Sequence, residues 1–205
     1  MPLELIIGPA NAGVSRAVRA RVMEHVRSGG RALLLVPSGP DVPRATRRLF
    51  NECPMGLEIR GFDQHLNELW SGCGDGRRIV TPVQRFALLE ESGSNVGALT
   101  GGGRTSGLVR TMARVVQRAA EAERLQAAPS LEGTVGVLVA WLVEYESLLR
   151  QADLVEQGEA HRIVAADPCA MLAAGLVAVE GFSGFTRSQE QYLVGVSSCV
   201  ETLVG

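Results

Sequence analysis

From Leu3 to Trp70 the chain alternates short aliphatic runs with stretches of helical period, and this alternation constrains the fold more than any other feature. "LELII" at 3–7 ends at Gly8. Val18, Val22 and Val26 then recur every fourth residue and line one helical face, until Ser28-Gly29-Gly30 stops the helix. "ALLLV" at 32–36 is apolar at every position, as a strand buried on both faces of a parallel sheet is. Asp41 to Asn51 reads as a helix with Pro43 in its first turn, and "LEI" at 57–59 as a third strand. "FDQHLNELW" reads as a helix that buries Phe62, Leu66, Leu69 and Trp70. Strand–helix repetition of this kind gives a parallel α/β sheet.

Near Gly72 the pattern changes. "GCGDG" is a turn cluster, and from there to about Asp167 the sequence reads as helices with little strand. Thr81-Pro82-Val83-Gln84 is a capping box with proline at the first helical position. A flexible glycine tract at 97–107 precedes a helix with Leu108, Met112, Val115 and Ala119 on one face. A second helix runs from about Ser130 to Arg150, with Leu131, Val135, Leu138, Leu142 and Leu149, and a shorter one from Glu156 to Ala166. Strand character returns at 175–181. Thr186 and Gln189 form a second capping box, and "VETLV" at 200–204 reads as a further strand. The organisation is thus a sheet domain, 1–75 with 170–205, split by a helical insertion at 76–169. The chain stops on a strand-like run, which points to a fragment of a longer protein.

Hydrophobic residues make up 46% of the chain, enough for a real core. A net charge of -2 gives no global pull toward nucleic acid or acidic lipid. The start lacks a basic-then-apolar leader, and "MLAAGLVAV" at 171–179 is too short to span a bilayer. Cys53, Cys73, Cys169 and Cys199 form no C-x-x-C and read as separate reduced thiols of a cytoplasmic protein.

"GPANAGVS", Gly8 to Ser15, stands between the first strand and the first helix and is one letter from the phosphate-binding pattern G-x-x-x-x-G-K-[ST]. Such loops turn backbone N–H groups around a phosphate, and the helix adds its positive end. The candidate cradle is Gly8, Asn11, Ala12, Gly13, Val14 and Ser15. Ser15 could ligate magnesium. Val14 replaces the lysine, and all twenty basic residues are arginine, so no lysine elsewhere in the chain can substitute. A lost charge-assisted hydrogen bond weakens nucleotide binding by about ten- to a hundredfold and removes charge stabilisation in phosphoryl transfer. The loop therefore reads as a degenerate phosphate loop with a weak or lost ATP/Mg2+ site, against a bare glycine turn and an active site. Glu180, which follows "GLVAV" at the strand's end, occupies the place where nucleotide hydrolases of this kind hold magnesium, but Gly181 follows it and nothing adjacent can act as a base. The alternative for Glu180 is an exposed carboxylate at a strand end.

The ordered set of the glycine loop, "LLLVPSGPDVPRATRRLF", "GFDQHLNELW", helices and "GLVAVEGFSGFTRSQEQYL" resembles the N-terminal domain of the AddB-type subunit of bacterial helicase-nuclease complexes. These subunits look like superfamily 1 helicases whose motor has decayed. "EGFSGFTRSQEQYL" matches the family's D-G-F-x-x-F-T-P-x-Q-x-x-L at Gly181, Phe182, Phe185, Thr186, Gln189 and Leu193, and departs from it at Glu180 and Arg187. The resemblance implies a P-loop NTPase-like (RecA-like) fold. It also implies a role in double-strand break processing and recombination, with a larger helicase-nuclease subunit and single-stranded or end DNA as partners and no membrane. The family's nuclease domain and iron-sulfur cluster lie beyond the last residue of this chain, so neither is assigned.

Arginines and aromatics hold single strands. Arg44, Arg47, Arg48 and His65 are the DNA-facing candidates, with a solvated helix face as the alternative for the arginines. Phe62 and Trp70 read as core. Arg16, Arg19 and Arg27 read as solvent-facing, and His25 and His161 as surface. Three functions remain open: a non-hydrolysing DNA-binding or scaffolding domain, an atypical P-loop ATPase using an arginine such as Arg16, and a purely structural interaction module.

Overall fold

A computed structural model describes residues 3–8, 12–49, 55–99, 105–122, 134–168 and 172–205; the side chains of 105–106, 118–122 and 134–135 are also outside the described set. The chain divides into two units, 1–74 with 161–205 and 75–160.

The first unit is built on five strands: β1 (Leu3–Leu5), β2 (Ala32–Val36), β3 (Leu57–Gly61), β6 (Leu176–Val179) and β7 (Glu201–Val204). All pair in parallel, in the order β1-β7-β6-β2-β3. The register sets Leu34 opposite Ala178 and Ala178 opposite Leu203. That row meets Val18, Val22, Met23 and Val26 of α1 (Val14–Arg27) and Leu49 of α2 (Asp41–Leu49) in one cluster. Side chains alternate across a strand, so Leu33, Leu35, Val177 and Val179 point to the opposite face. They too are buried, on the side of α3 (Phe62–Cys73) and α8 (Arg187–Ser197). An edge-to-face contact between Phe62 and Tyr192, 5.5 Å between centroids, joins those two helices. Each such buried side chain contributes about 1.5–3 kcal/mol relative to exposure. β1 is a sheet edge, which leaves Leu3, Leu5 and Ile7 exposed.

The second unit holds α4 (Pro82–Asn95), α5 (Thr105–Ala122) and α6 (Thr134–Gln151). It also holds a feature the sequence did not signal: β4 (Arg78–Ile79) pairs in parallel with β5 (Leu154–Val155). Two-residue strands carry too little pattern to announce themselves. The core comprises Leu89, Val109, Met112, Val116, Trp141, Tyr145, Leu149 and Leu154. The expected faces are corrected accordingly. On α5, Val109, Met112 and Val116 are buried, while Leu108 and Val115 are exposed. On α6, Trp141, Tyr145 and Leu149 form the buried stripe, with Leu138 and Leu142 flanking it. Leu131 and residues 100–104 of the glycine tract lie outside the described residues, as do the side chains of Ala119 and Val135. Gly93 is fixed by close approach: a Cβ there would lie 2.7 Å from Trp141 Cε2. The Trp141 indole N–H donates to the Leu89 carbonyl at 2.9 Å.

The Arg85 guanidinium donates to both Glu156 oxygens, Nε to Oε1 at 2.8 Å and Nη2 to Oε2 at 2.7 Å, and all three residues of the set Arg85, Glu156 and Tyr145 are buried. The Tyr145 hydroxyl donates to Glu156 Oε1 at 2.5 Å, and burial beside that carboxylate pushes the phenol well above its ordinary range.

The chain re-enters the first unit within α7 (Gln157–Ala166), earlier than the sequence boundary near 169. The reason is packing: Pro168 and Ala165 lie against Gly195 of α8.

Cys73 is a free, exposed thiol. Cys199 is disulfide-bonded, which corrects the expectation of separate thiols; Cys53 and Cys169 lie outside the described residues. Sulfur pairing follows spatial proximity, which spacing along the chain does not carry.

Candidate functional site

The glycine loop opens where β1 ends and α1 begins. Gly13 is the N-cap residue of α1 with φ of 82°, a left-handed conformation that glycine adopts without Cβ strain. Its carbonyl accepts from the Arg16 and Ala17 amides, both at 2.9 Å, so the helix starts immediately after the turn. First-turn amides of a helix lack intrahelical partners and present positive charge. Of the cradle residues, Gly8, Ala12, Gly13, Val14 and Ser15 line one cleft, while Asn11 lies outside the described residues.

Val14, in the lysine position, is half-buried against the strand ends. A Cβ at Gly205 would lie 2.9 Å from its Cγ1, and one at Gly8 would lie 3.0 Å from its Cγ2. The aliphatic side chain is packing where a phosphate loop carries charge.

Glu180 follows β6 and its amide donates to the Leu35 carbonyl at 3.1 Å. It is buried, not an exposed strand-end carboxylate. Arg19, one turn beyond Ser15 on α1, donates through Nε at 3.0 and 2.8 Å to the two Glu180 oxygens and through Nη2 at 2.6 Å to Oε1. This overturns the solvent-facing reading of Arg19. Its hydrogen bond to Glu180 raises it above the ordinary guanidinium value, although burial acts in the opposite direction.

The cleft has a volume of about 700 Å³ and includes Arg16, Arg19, Phe182 and Phe185. Phe182 and Phe185 stack at 4.9 Å with their planes 24° apart, and Phe62 meets Phe182 edge-on at 5.7 Å. The capping box at Thr186 anchors the segment that carries both rings: the Gln189 amide donates to Thr186 Oγ1 at 3.3 Å, and the Thr186 amide donates to Gln189 Oε1 at 3.0 Å.

The DNA-facing candidates separate into two environments. Arg44, Arg47 and Arg48 are exposed on α2, with Arg47 Nε donating to the Pro43 carbonyl at 3.2 Å. His65 is buried, its Nε2 2.6 Å from the Tyr192 hydroxyl, and it lines a separate cavity with Arg31, Glu58, Arg60 and Glu68. Burial, then the nearby Arg60 charge, lowers it to about 4. His161 is also buried, not at the surface, with Nε2 2.8 Å from Asn67 Oδ1. His25 is half-buried, while Arg16 and Arg27 are exposed. Phe62 and Trp70 are buried, as their spacing indicated.

Two parts of this site escaped sequence reading. Arg19 shares a helix face with Ser15, four residues earlier, which is the one local signal for it. The sequence marks Phe182 and Phe185 as motif positions and carries no sign that they form a cleft wall. Among the described residues no group of three His, Cys, Asp or Glu side chains could hold a metal ion, and no helix is long and apolar enough to cross a membrane. No family model matches the chain, and no match was found among curated proteins.

Proposed function

We propose that this chain is the RecA-like N-terminal domain of a decayed helicase subunit, which holds or scans single-stranded DNA in a helicase-nuclease complex without hydrolysing ATP. The observation that carries the reading is the engagement of Glu180 by Arg19 beside an aliphatic Val14. Both charges that a phosphate-loop motor needs are thereby altered at once, on a parallel α/β scaffold. The strand order supports the fold assignment: β1 and β6 flank β7 and all three run parallel, so the loop and the acid open at the same carboxyl edge of the sheet. That edge is where open α/β sheets bind ligands. The sequence resemblance supplies the partners, a larger helicase-nuclease subunit and DNA ends. The exposed arginines of α2 supply a phosphate-contacting face.

The test pairs two measurements on the chain as it stands. Phosphate release with ATP, Mg2+ and single-stranded DNA should stay at background. A fluorescent oligothymidylate should bind with strong salt dependence, and Arg44→Gln with Arg47→Gln and Arg48→Gln should weaken it. DNA-stimulated turnover, or an oligonucleotide affinity indifferent to those three arginines, would sink the reading.

A further inference from the structure

We infer that Arg19 is the resident cation of this cleft, and that the ligand it takes, a free nucleotide, binds without a divalent metal ion. The inference rests on the nucleotide-fold reading for the place of the site and goes beyond it in the chemistry.

Glu180 is the carboxylate that would hold a metal at this position, and the donor set does not fit one. Both of its oxygens accept hydrogen bonds from Arg19. Magnesium asks for oxygen ligands in near-octahedral array; a carboxylate gripped by a guanidinium is already neutralised, and Ser15 alone remains. Glu180 does not line the cleft, whereas Arg19 and Arg16 do, and no Asp or Glu side chain is among the described lining residues. A cavity lined in this way disfavours a divalent cation and attracts an anion.

Arg19 has capacity left to act on a ligand. It spends Nε and Nη2 on Glu180, and Nη1 has no protein partner among the described residues. The same cleft offers the stacked Phe182 and Phe185 rings, a surface that favours a planar apolar group. Two arginines and two stacked rings in one cleft match a phosphate chain joined to a heterocycle. Arg19 thus takes over, from one turn down the helix, the charge that Val14 lacks.

The test is calorimetric titration of ATP, and separately of inorganic tripolyphosphate, into the native chain, in EDTA and in excess Mg2+. The native chain should bind ATP in EDTA, and about tenfold more weakly in Mg2+, because the metal cancels ligand charge. Tripolyphosphate should bind more weakly than ATP. Glu180→Gln should tighten the EDTA binding several-fold, since Arg19 is no longer neutralised; a metal-dependent site would respond in the opposite sense. Arg19→Gln with Glu180→Gln, which keeps the charge balance, should cost about tenfold or more relative to Glu180→Gln alone. Absence of ATP binding by the native chain, a requirement for Mg2+, or weaker binding by Glu180→Gln overturns the inference. The last two do so even if the double variant does not fold. Metal-dependent ATP binding would leave the DNA-holding reading standing, and failure to bind oligothymidylate would leave this one standing.

Discussion

Arg19 and Glu180 are joined across 161 residues of chain by three N–H···O contacts of 2.6–3.0 Å. The pair ties α1 to the end of β6, the two elements that carry the glycine loop and the strand-end acid. A buried carboxylate in this position is stable only while its partner stays, because an unpaired charge in a low-dielectric site is costly.

Removing one member should therefore cost more than removing both. Arg19→Leu is expected to destabilise the chain by about 2–3 kcal/mol, the Arg19 side chain being 21% exposed. Arg19→Leu combined with Glu180→Leu should recover most of that loss, since two apolar side chains leave nothing unpaired. Urea denaturation of the three variants measures the coupling. Strictly additive losses would show that the two side chains do not interact in solution.

In the second unit Glu156 accepts from both Arg85 and Tyr145, and all three are buried. Glu156→Gln keeps the shape and removes the charge, so Arg85 is left uncompensated; the expected loss is about 3–5 kcal/mol. Tyr145→Phe deletes one hydrogen bond and should cost about 1–3 kcal/mol. Thermal or urea unfolding with probes in each unit checks both, and equal losses for the two variants would contradict the charge argument.

His65 makes the first unit acid-sensitive. Its folded value, about 4, lies below the ordinary 6.5 because burial disfavours the imidazolium. The unfolded chain therefore binds the proton first as pH falls. Stability is complete above about pH 6.5, declines between 6.5 and 4, and levels off below; the full span corresponds to about 3 kcal/mol. His161, lowered by burial against a smaller opposing effect of Asp63, acts in the same direction. His65→Gln, which keeps a hydrogen-bonding partner for Tyr192, should flatten the profile over this window. An unchanged slope would show that His65 is not the titrating group.

What could be read from the sequence was local. Both capping boxes, at Thr81–Gln84 and Thr186–Gln189, form as their spacing dictates, and β2 spans the same residues as the "ALLLV" run. These features are fixed within a turn or a strand. The buried face of α5 was not, because Leu108, Val109, Met112, Val115 and Val116 supply two overlapping stripes that share Met112. Which stripe is covered depends on how α5 packs against α4, in the core that holds Leu89 and Trp141. Glu180 stood out as a strand-end acid, yet its partner did not, since nothing in the sequence links positions 161 residues apart. His65 reads as a DNA-facing candidate on a helix, and its burial beside Tyr192 is a contact between positions 127 residues apart.

Val14 gives the last test, because its position can be recharged without touching the Arg19–Glu180 pair. Val14→Lys gives up aliphatic packing against the strand ends, at an expected cost of about 1–2 kcal/mol, and adds a cation at the mouth of the loop. ATP affinity should rise by about ten- to a hundredfold, the worth of one charge-assisted hydrogen bond. Hydrolysis should not appear, because Glu180 remains engaged by Arg19 and Gly181 offers no base. Calorimetry with ATP and a phosphate-release assay on the same preparation separate the two outcomes. Tighter binding without turnover would mean that the cradle survives and the charge was lost from it. Turnover in Val14→Lys would mean that Glu180 can still serve a metal ion, and the grip of Arg19 would then be a resting state that nucleotide displaces.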